Sequence, residues 1–120
     1  MNEPMKPKRK VLFVCRCNVD RSPTAEDLFK YWEGLEIKSA GVSVGATVPL
    51  TRELINWADE IYVMEFEQQQ AVLKIVPSAW KKIESLEIPD NYYRNQPELK
   101  QLINKKMKPY IKRWSEICQT

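Results

Sequence analysis

An α/β fold is predicted, with three layers: helices on both faces of a four-stranded parallel sheet. Three observations predict it. Short apolar runs alternate with helical segments along the 120 residues, which is the pattern of a parallel sheet crossed over by helices. The first run, Val11, Leu12, Phe13 and Val14, is apolar without alternation, as a strand buried on both faces requires. It leads directly into a loop that opens at Cys15 and closes at Arg21, and Ser22 and Pro23 then head a helical stretch. Strand, loop and helix follow one another without a spare residue.

The elements are justified in order. Met1 to Arg9 holds Pro4, Pro7 and three basic residues and is expected to be a flexible basic tail (residues 1–9), leaving residues 10–120 as one domain. Lys10 to Val14 forms the first strand. Pro23 to Glu33 is the first helix, since Ala25, Leu28, Phe29 and Trp32 fall at i, i+3, i+4 and i+7, and Gly34 is its stop. Leu35 to Ala40 is the second strand, with Gly41 opening a loop. Thr51 caps a short helix to Trp57. Glu60 to Met64 is the third strand, Phe66 to Ile75 a helix ended before Pro77, and Lys82 to Leu86 the fourth strand. Pro97 to Cys118 is helical, its apolar residues Leu99, Leu102, Ile103, Met107, Tyr110, Ile111, Trp114 and Ile117 recurring at helical spacing. Pro109 is expected to kink or split it.

Composition narrows the function classes. A hydrophobic content of 43% is that of a globular protein with one core. There is no run of eighteen apolar residues for a membrane span and no apolar core of a secretory signal near Met1. Three cysteines, two of them one residue apart, are no disulfide framework, so a reduced, cytoplasmic setting is expected. The net charge of +3 suits an anionic substrate. The basic run Lys100, Lys105, Lys106, Lys108, Lys112 and Arg113 shares its segment with a good apolar face and reads as a solvated helix surface, so no nucleic-acid partner is expected.

The loop carries the chemistry. In a parallel α/β sheet, ligands bind beyond the carboxyl ends of the strands, which is where Cys15 stands. The amides of Arg16, Cys17, Asn18, Val19, Asp20 and Arg21, with Ser22 and the helix N-terminus, are placed to cradle a tetrahedral dianion. The Arg21 guanidinium binds two of its oxygens as a fork. A thiol beside that positive potential ionises and faces the phosphorus as a nucleophile. This is the pattern of a cysteine-dependent phosphatase that needs neither metal nor cofactor. A buried, inert Cys15 beside a surface Arg21 is the bland alternative.

Cys15, Arg16, Cys17, Asn18, Val19, Asp20, Arg21, Ser22 and Pro23 resemble the loop Cys-x-Gly-Asn-x-Cys-Arg-Ser-Pro of the low-molecular-weight protein tyrosine phosphatases, and most nearly a short bacterial branch of that family. Ser39-Ala40-Gly41 resembles the family's second strand end, residues 58 to 64 its third strand, and Asp90-Asn91-Tyr92-Tyr93 its Asp-Pro-Tyr-Tyr acid loop. The resemblance implies hydrolysis of a phosphomonoester, of protein phosphotyrosine or a small aryl phosphate, through a cysteinyl-phosphate. Inorganic phosphate or sulfate would occupy the same cradle. It also implies Asp90 as general acid and Asn18, Ser22 and Ser39 as supports of the loop and thiolate. Tyr92 and Tyr93 would wall the pocket. The chain contains no histidine, which leaves the acid to a carboxyl group. Pro89-Asp90-Asn91 is equally the composition of a turn, and Asp59 is the fallback acid.

Two positions depart from the family. Cys17 stands for its glycine and is strained if the backbone there has positive φ. Asp20 stands for its second cysteine, and a carboxylate repels the dianion unless it is turned to solvent or to a basic group. These departures keep a second reading in view, a catalytically weak phosphate- or sulfate-binding module. A third is an arsenate reductase, for which only Cys118 remains as a relay cysteine.

Overall fold

Val11, Leu12, Phe13 and Val14 are wholly buried because β1 (Arg9–Cys15) is an inner strand with a neighbour on each side. The computed structural model describes residues 8–118. β1 pairs in parallel with β2 (Leu35–Gly41) and with β3 (Glu60–Val63), and β3 pairs with β4 (Ile83–Ser85). The sheet order is β2-β1-β3-β4, all parallel. Strand residues alternate between faces. Val11, Phe13 and Tyr62 therefore enter one core, closed by α1 (Arg21–Phe29) and α4 (Pro97–Cys118), with Phe29, Leu99, Ile103, Met107 and Trp114 as its filling. Leu12, Val14, Ile61 and Val63 enter the other, closed by α2 (Arg52–Trp57) and α3 (Phe66–Ile75) through Ile55 and Val72. The three-layer fold read from the alternation of elements is the observed one.

The differences lie at element ends. β1 begins at Arg9 rather than Lys10, because Arg9 donates to the Gly34 carbonyl at 2.9 Å and its guanidinium meets Glu60. Of the tail expected over residues 1–9, residues 1–7 lie outside the described residues and Lys8 is exposed ahead of the strand. α1 starts at Arg21, two residues before Pro23, and gives way after Phe29 to turns closed by Trp32 N–H on Phe29 and Leu35 N–H on Trp32. Gly34, at φ 89°, then sends the chain into β2. Thr51 caps α2 as expected, accepting from Leu54 N–H at 3.1 Å. A 3₁₀ turn, Pro77–Lys82, precedes β4 and was not foreseen. It carries Lys82 to the end of α2, where the ammonium donates to the Ile55 and Ala58 carbonyls at 2.7 and 2.6 Å. α4 is one helix with Pro109 inside it, not two.

The order of the strands positions the site. From β1 the chain moves to β2 on one side, and from β2 it crosses back over β1 to β3 on the other. The segments leaving β1 and β3 diverge at their carboxyl ends and open a crevice.

Candidate active site

Cys15 ends β1 and is buried. Its Sγ receives the Asn18 amide at 3.2 Å and lies 3.0 Å from Ser22 Oγ. The loop amide and the hydroxyl thus converge on one sulfur at the mouth of the loop. Asn18 turns the loop there with φ 55°, a left-handed conformation that asparagine tolerates. Its side chain holds the turn from three directions. Nδ2 donates to Ser22 Oγ and to Ser39 Oγ, both at 2.9 Å, and Oδ1 accepts from Val48 N–H at 3.1 Å. Ser39 is itself fixed by donating to Glu26 Oε1 at 2.5 Å. The structure thus brings together Cys15, Asn18, Ser22 and Ser39, as the sequence led one to expect.

The positive φ falls on Asn18 and not on Cys17, so a cysteine in place of glycine there carries no left-handed strain. Cys17 is exposed, and its carbonyl accepts from Thr47 N–H at 3.2 Å. Asp20 precedes α1 and lines the cleft, but one oxygen is committed, since Oδ1 accepts from the Arg94 amide at 2.9 Å. This is the turning toward a donor that a carboxylate beside an anion site requires. Among the described residues, none accepts from the amides of Cys17, Val19 or Asp20, and these donors remain to meet an anion.

Arg21 opens α1 and is 1% exposed. A buried guanidinium needs partners. Nη1 donates to Glu65 Oε1 at 2.6 Å and to the Ile88 carbonyl at 2.8 Å, and Nε lies 3.6 Å from Asp90 Oδ1. With Nη1 held, the edge comprising Nε and Nη2 is left for an anion. Glu65 is the site residue that sequence reasoning missed. It lies two residues past the end of β3 and immediately precedes α3, whose Gln68 Oε1 accepts from the Glu65 amide at 2.6 Å. The hydrogen bond from Arg21 holds its carboxyl below the ordinary 4.5. The signal was present: a carboxylate at a strand's carboxyl end, beside the strand that delivers Arg21.

Cys15, Cys17, Val19, Asp20, Arg21 and Asp90 line one cleft of about 240 Å³, so nucleophile, arginine and candidate acid share a cavity. Asp90 is half exposed, and its carboxylate lines the cleft 3.6 Å from Arg21 Nε. Asp59, the fallback, stands before β3 at the amino end of the sheet and accepts from the Lys10 amide at 2.9 Å. It is at the wrong end of the strands from Cys15. Tyr92 and Tyr93 do not line the cleft. Tyr92 is half-buried against the core beneath α4, and Tyr93 is exposed. Arg16 is exposed in the loop, its carbonyl accepting from Ser43 N–H at 2.8 Å. Lys105, Lys106, Lys108, Lys112 and Arg113 of the basic run lie on exposed positions of α4 and Lys100 on a half-buried one, beside the apolar face that packs. No helix among the described residues is long and apolar enough to cross a membrane.

The family resemblance read from the loop is borne out by comparison. A model of the family described as low molecular weight phosphotyrosine protein phosphatase matches residues 10–60, the stretch holding all of the anion loop, α1 and β2. Among solved structures, the chain is similar to the YwlE arginine phosphatase from Geobacillus stearothermophilus, at 25% identity, with 90% of this chain and 96% of that one covered and a TM-score of 0.70. It is similar to Vibrio vulnificus Wzb in complex with benzylphosphonate, at 25% identity, with 88% and 99% covered and a TM-score of 0.72. The fold is shared with the tyrosine phosphatase Wzb from Escherichia coli K30 in complex with phosphate, at 24% identity, with 88% and 98% covered and a TM-score of 0.74. No curated protein matches the chain.

Proposed function

We propose that this chain, like the low-molecular-weight phosphatases it resembles, hydrolyses phosphomonoesters through a cysteinyl-phosphate on Cys15. The observation that carries the reading is the convergence of the Asn18 amide and Ser22 hydroxyl on Cys15 Sγ, in a cleft shared with Arg21 and Asp90. Phosphate enters the loop, its oxygens meeting the loop amides and the Nε and Nη2 edge of Arg21. Sγ attacks phosphorus in line with the leaving oxygen. The S–P bond forms as the P–O bond breaks, and Asp90 gives its proton to the leaving oxygen. Water then attacks the cysteinyl-phosphate, Asp90 takes its proton, and Sγ departs as thiolate with release of phosphate. Arg21 stabilises the charge in both steps.

The substrate class we favour is phosphotyrosine in protein, or a similar aryl phosphate. The similarity to tyrosine phosphatases and to a protein holding benzylphosphonate supports it. Phosphoarginine is the second reading, supported by the likeness to an arginine phosphatase. A reduced, cytoplasmic setting suits the thiolate. Stopped-flow hydrolysis of para-nitrophenyl phosphate tests the mechanism. A burst of nitrophenol is expected in the parent, none in Cys15→Ser, and a rate lowered about a hundredfold in Asp90→Asn. A folded parent that binds phosphate without turnover would overturn it. Parallel assays on phosphotyrosine and phosphoarginine peptides decide the substrate.

A further inference from the structure

Three side chains on one face of α1 grip the segment that follows Asp90. The Asp20 carboxylate accepts from the Arg94 amide at 2.9 Å. Four residues on, Thr24 Oγ1 accepts from the Asn95 amide at 2.8 Å. Three further, Asp27 Oδ2 accepts from Arg94 Nε at 3.2 Å, from Arg94 Nη2 at 2.9 Å and from Asn95 Nδ2 at 3.4 Å. Steps of four and three keep all three residues on one helix face. Asn95 sits at φ 63°, a conformation that costs an L-residue energy unless its surroundings hold it. The clasp holds it, and the turn is closed by Tyr93 N–H on Gln96 Oε1 at 3.0 Å.

The placement of these contacts matters for Asp90. Upstream, the Ile88 carbonyl is tied to Arg21 Nη1. Downstream, the Arg94 amide is tied to Asp20. Asp90 is therefore strung between two anchors on adjacent residues of the anion loop. Asn91 follows it where a proline would stiffen the chain, and residues 90 and 91 are exposed, so apart from the 3.6 Å approach of its own carboxylate to Arg21 Nε its position depends on these two anchors. Burial raises the Asp27 carboxyl, but the hydrogen bonds from Arg94 and Lys30 outweigh this and hold it below its ordinary 3.8.

We propose that the Asp27–Arg94 clasp, with Asp20 and Thr24, is the positioning device for Asp90, so that Asp27 and Arg94 govern proton delivery without touching substrate. The proposal rests on the reading of Asp90 as general acid. It also gives a use to Asp20, whose carboxylate is an anchor and not a rival of the substrate.

The test exploits leaving-group basicity. A poor leaving group such as phenolate needs the proton, whereas 2,4-dinitrophenolate does not. Because kcat/KM reports the first phosphoryl transfer, it is measured for phenyl phosphate and 2,4-dinitrophenyl phosphate in the parent, Asp27→Ala, Arg94→Lys and Asp90→Ala. Asp27→Ala should lose about tenfold with phenyl phosphate and less than about twofold with the dinitrophenyl ester. Arg94→Lys, which keeps the charge but not the two-nitrogen grip, should show the same bias. Asp27→Asn, which keeps an acceptor oxygen, should recover most of the loss. Asp90→Ala should show the bias at about a hundredfold. Bias in Asp90→Ala with equal losses on both esters in Asp27→Ala and Arg94→Lys would overturn the clasp and leave the acid standing. A fall in melting temperature alone would also overturn it. No bias in Asp90→Ala would remove the acid reading itself.

Discussion

At Gly41 a Cβ would stand 2.8 Å from the Asn18 amide nitrogen, the Cys17 carbonyl carbon and the Ala46 Cβ. Two of these atoms are backbone of the anion loop and cannot rotate aside. Gly41→Ala must therefore move the loop against the end of β2. A displacement of about an ångström in a catalytic cradle costs up to about a hundredfold in rate. Gly41→Ala is expected to lose at least about tenfold in phosphate affinity and in kcat/KM, with the sheet intact. Phosphate titration with circular dichroism alongside checks this, and unchanged affinity would refute it. The sequence shows Gly41 only as a residue opening a loop, because its anion-loop partners Cys17 and Asn18 lie more than twenty positions away and meet it only after β1 and β2 pair. Local chemistry was more legible. Cys15, Asn18, Arg21 and Ser22 fall within eight residues, and the mutual contacts of Cys15, Asn18 and Ser22 follow from a strand–loop–helix passage. The positive φ that would have strained Cys17 falls one residue later, on Asn18, because spacing identifies a tight turn but not which residue within it takes the positive φ.

α4 shows how packing overrides a local signal. Pro109 removes one backbone donor and crowds the carbonyl of Lys105, at a cost of about 3 kcal/mol. A break was the natural expectation. Yet Leu99, Ile103 and Met107 before it and Trp114 after it are wholly buried on one face. Trp114 alone stacks edge-on to Phe29, Trp32 and Tyr62 and donates to Glu60 at 3.0 Å. Burial of a single large aromatic is worth about 3–5 kcal/mol, which is enough to carry the helix through. Pro109 is exposed, so replacing it leaves the core untouched. Pro109→Ala is expected to raise stability by roughly 1–3 kcal/mol, the restored hydrogen bond being partly offset by a freer unfolded chain. Urea denaturation measures it, and a destabilised Pro109→Ala would show that the ring has a packing role. α1 errs the other way. Its apolar spacing runs on to Trp32, but the helix stops at Phe29, and turns suffice to keep Leu28 and Trp32 against the same core. Periodicity therefore reported the face but not the end.

Across the whole molecule, the two ends of the sheet have separate tasks. The carboxyl ends hold the Cys15 thiol, Arg21 and the candidate acid Asp90. The amino ends hold a buried charge cluster around Glu60, which accepts from Arg9 at 2.6 Å, Arg113 at 2.8 Å and Trp114 at 3.0 Å, and from the Tyr62 hydroxyl. This cluster fastens β1, β3 and α4 together. It was illegible in the sequence, since its members come from three separate elements and only the site end has a contiguous motif. Its titration sets the pH limits of the fold. Burial raises the Glu60 carboxyl, but the hydrogen bonds from Arg9, Tyr62, Trp114 and Arg113 outweigh it and leave it below 4.5. A depressed carboxyl contributes stability above its unfolded value of 4.5, and that stability is lost as pH falls through the lower folded value. Tyr62 has the opposite sign. Burial, then the hydrogen bond to Glu60, raises its hydroxyl far above the ordinary 10.0. Its stabilisation is whole below that value and declines as pH rises past it. A stability plateau between about pH 5 and pH 10 follows, with an acid arm owed in part to Glu60 and an alkaline arm owed in part to Tyr62. Urea midpoints measured across pH in the parent, Glu60→Gln and Tyr62→Phe separate the two. The acid arm should flatten in Glu60→Gln and the alkaline arm in Tyr62→Phe. Arms that superimpose on the parent's would mean that other groups set both limits and that the cluster titrates alike in the folded and unfolded chains.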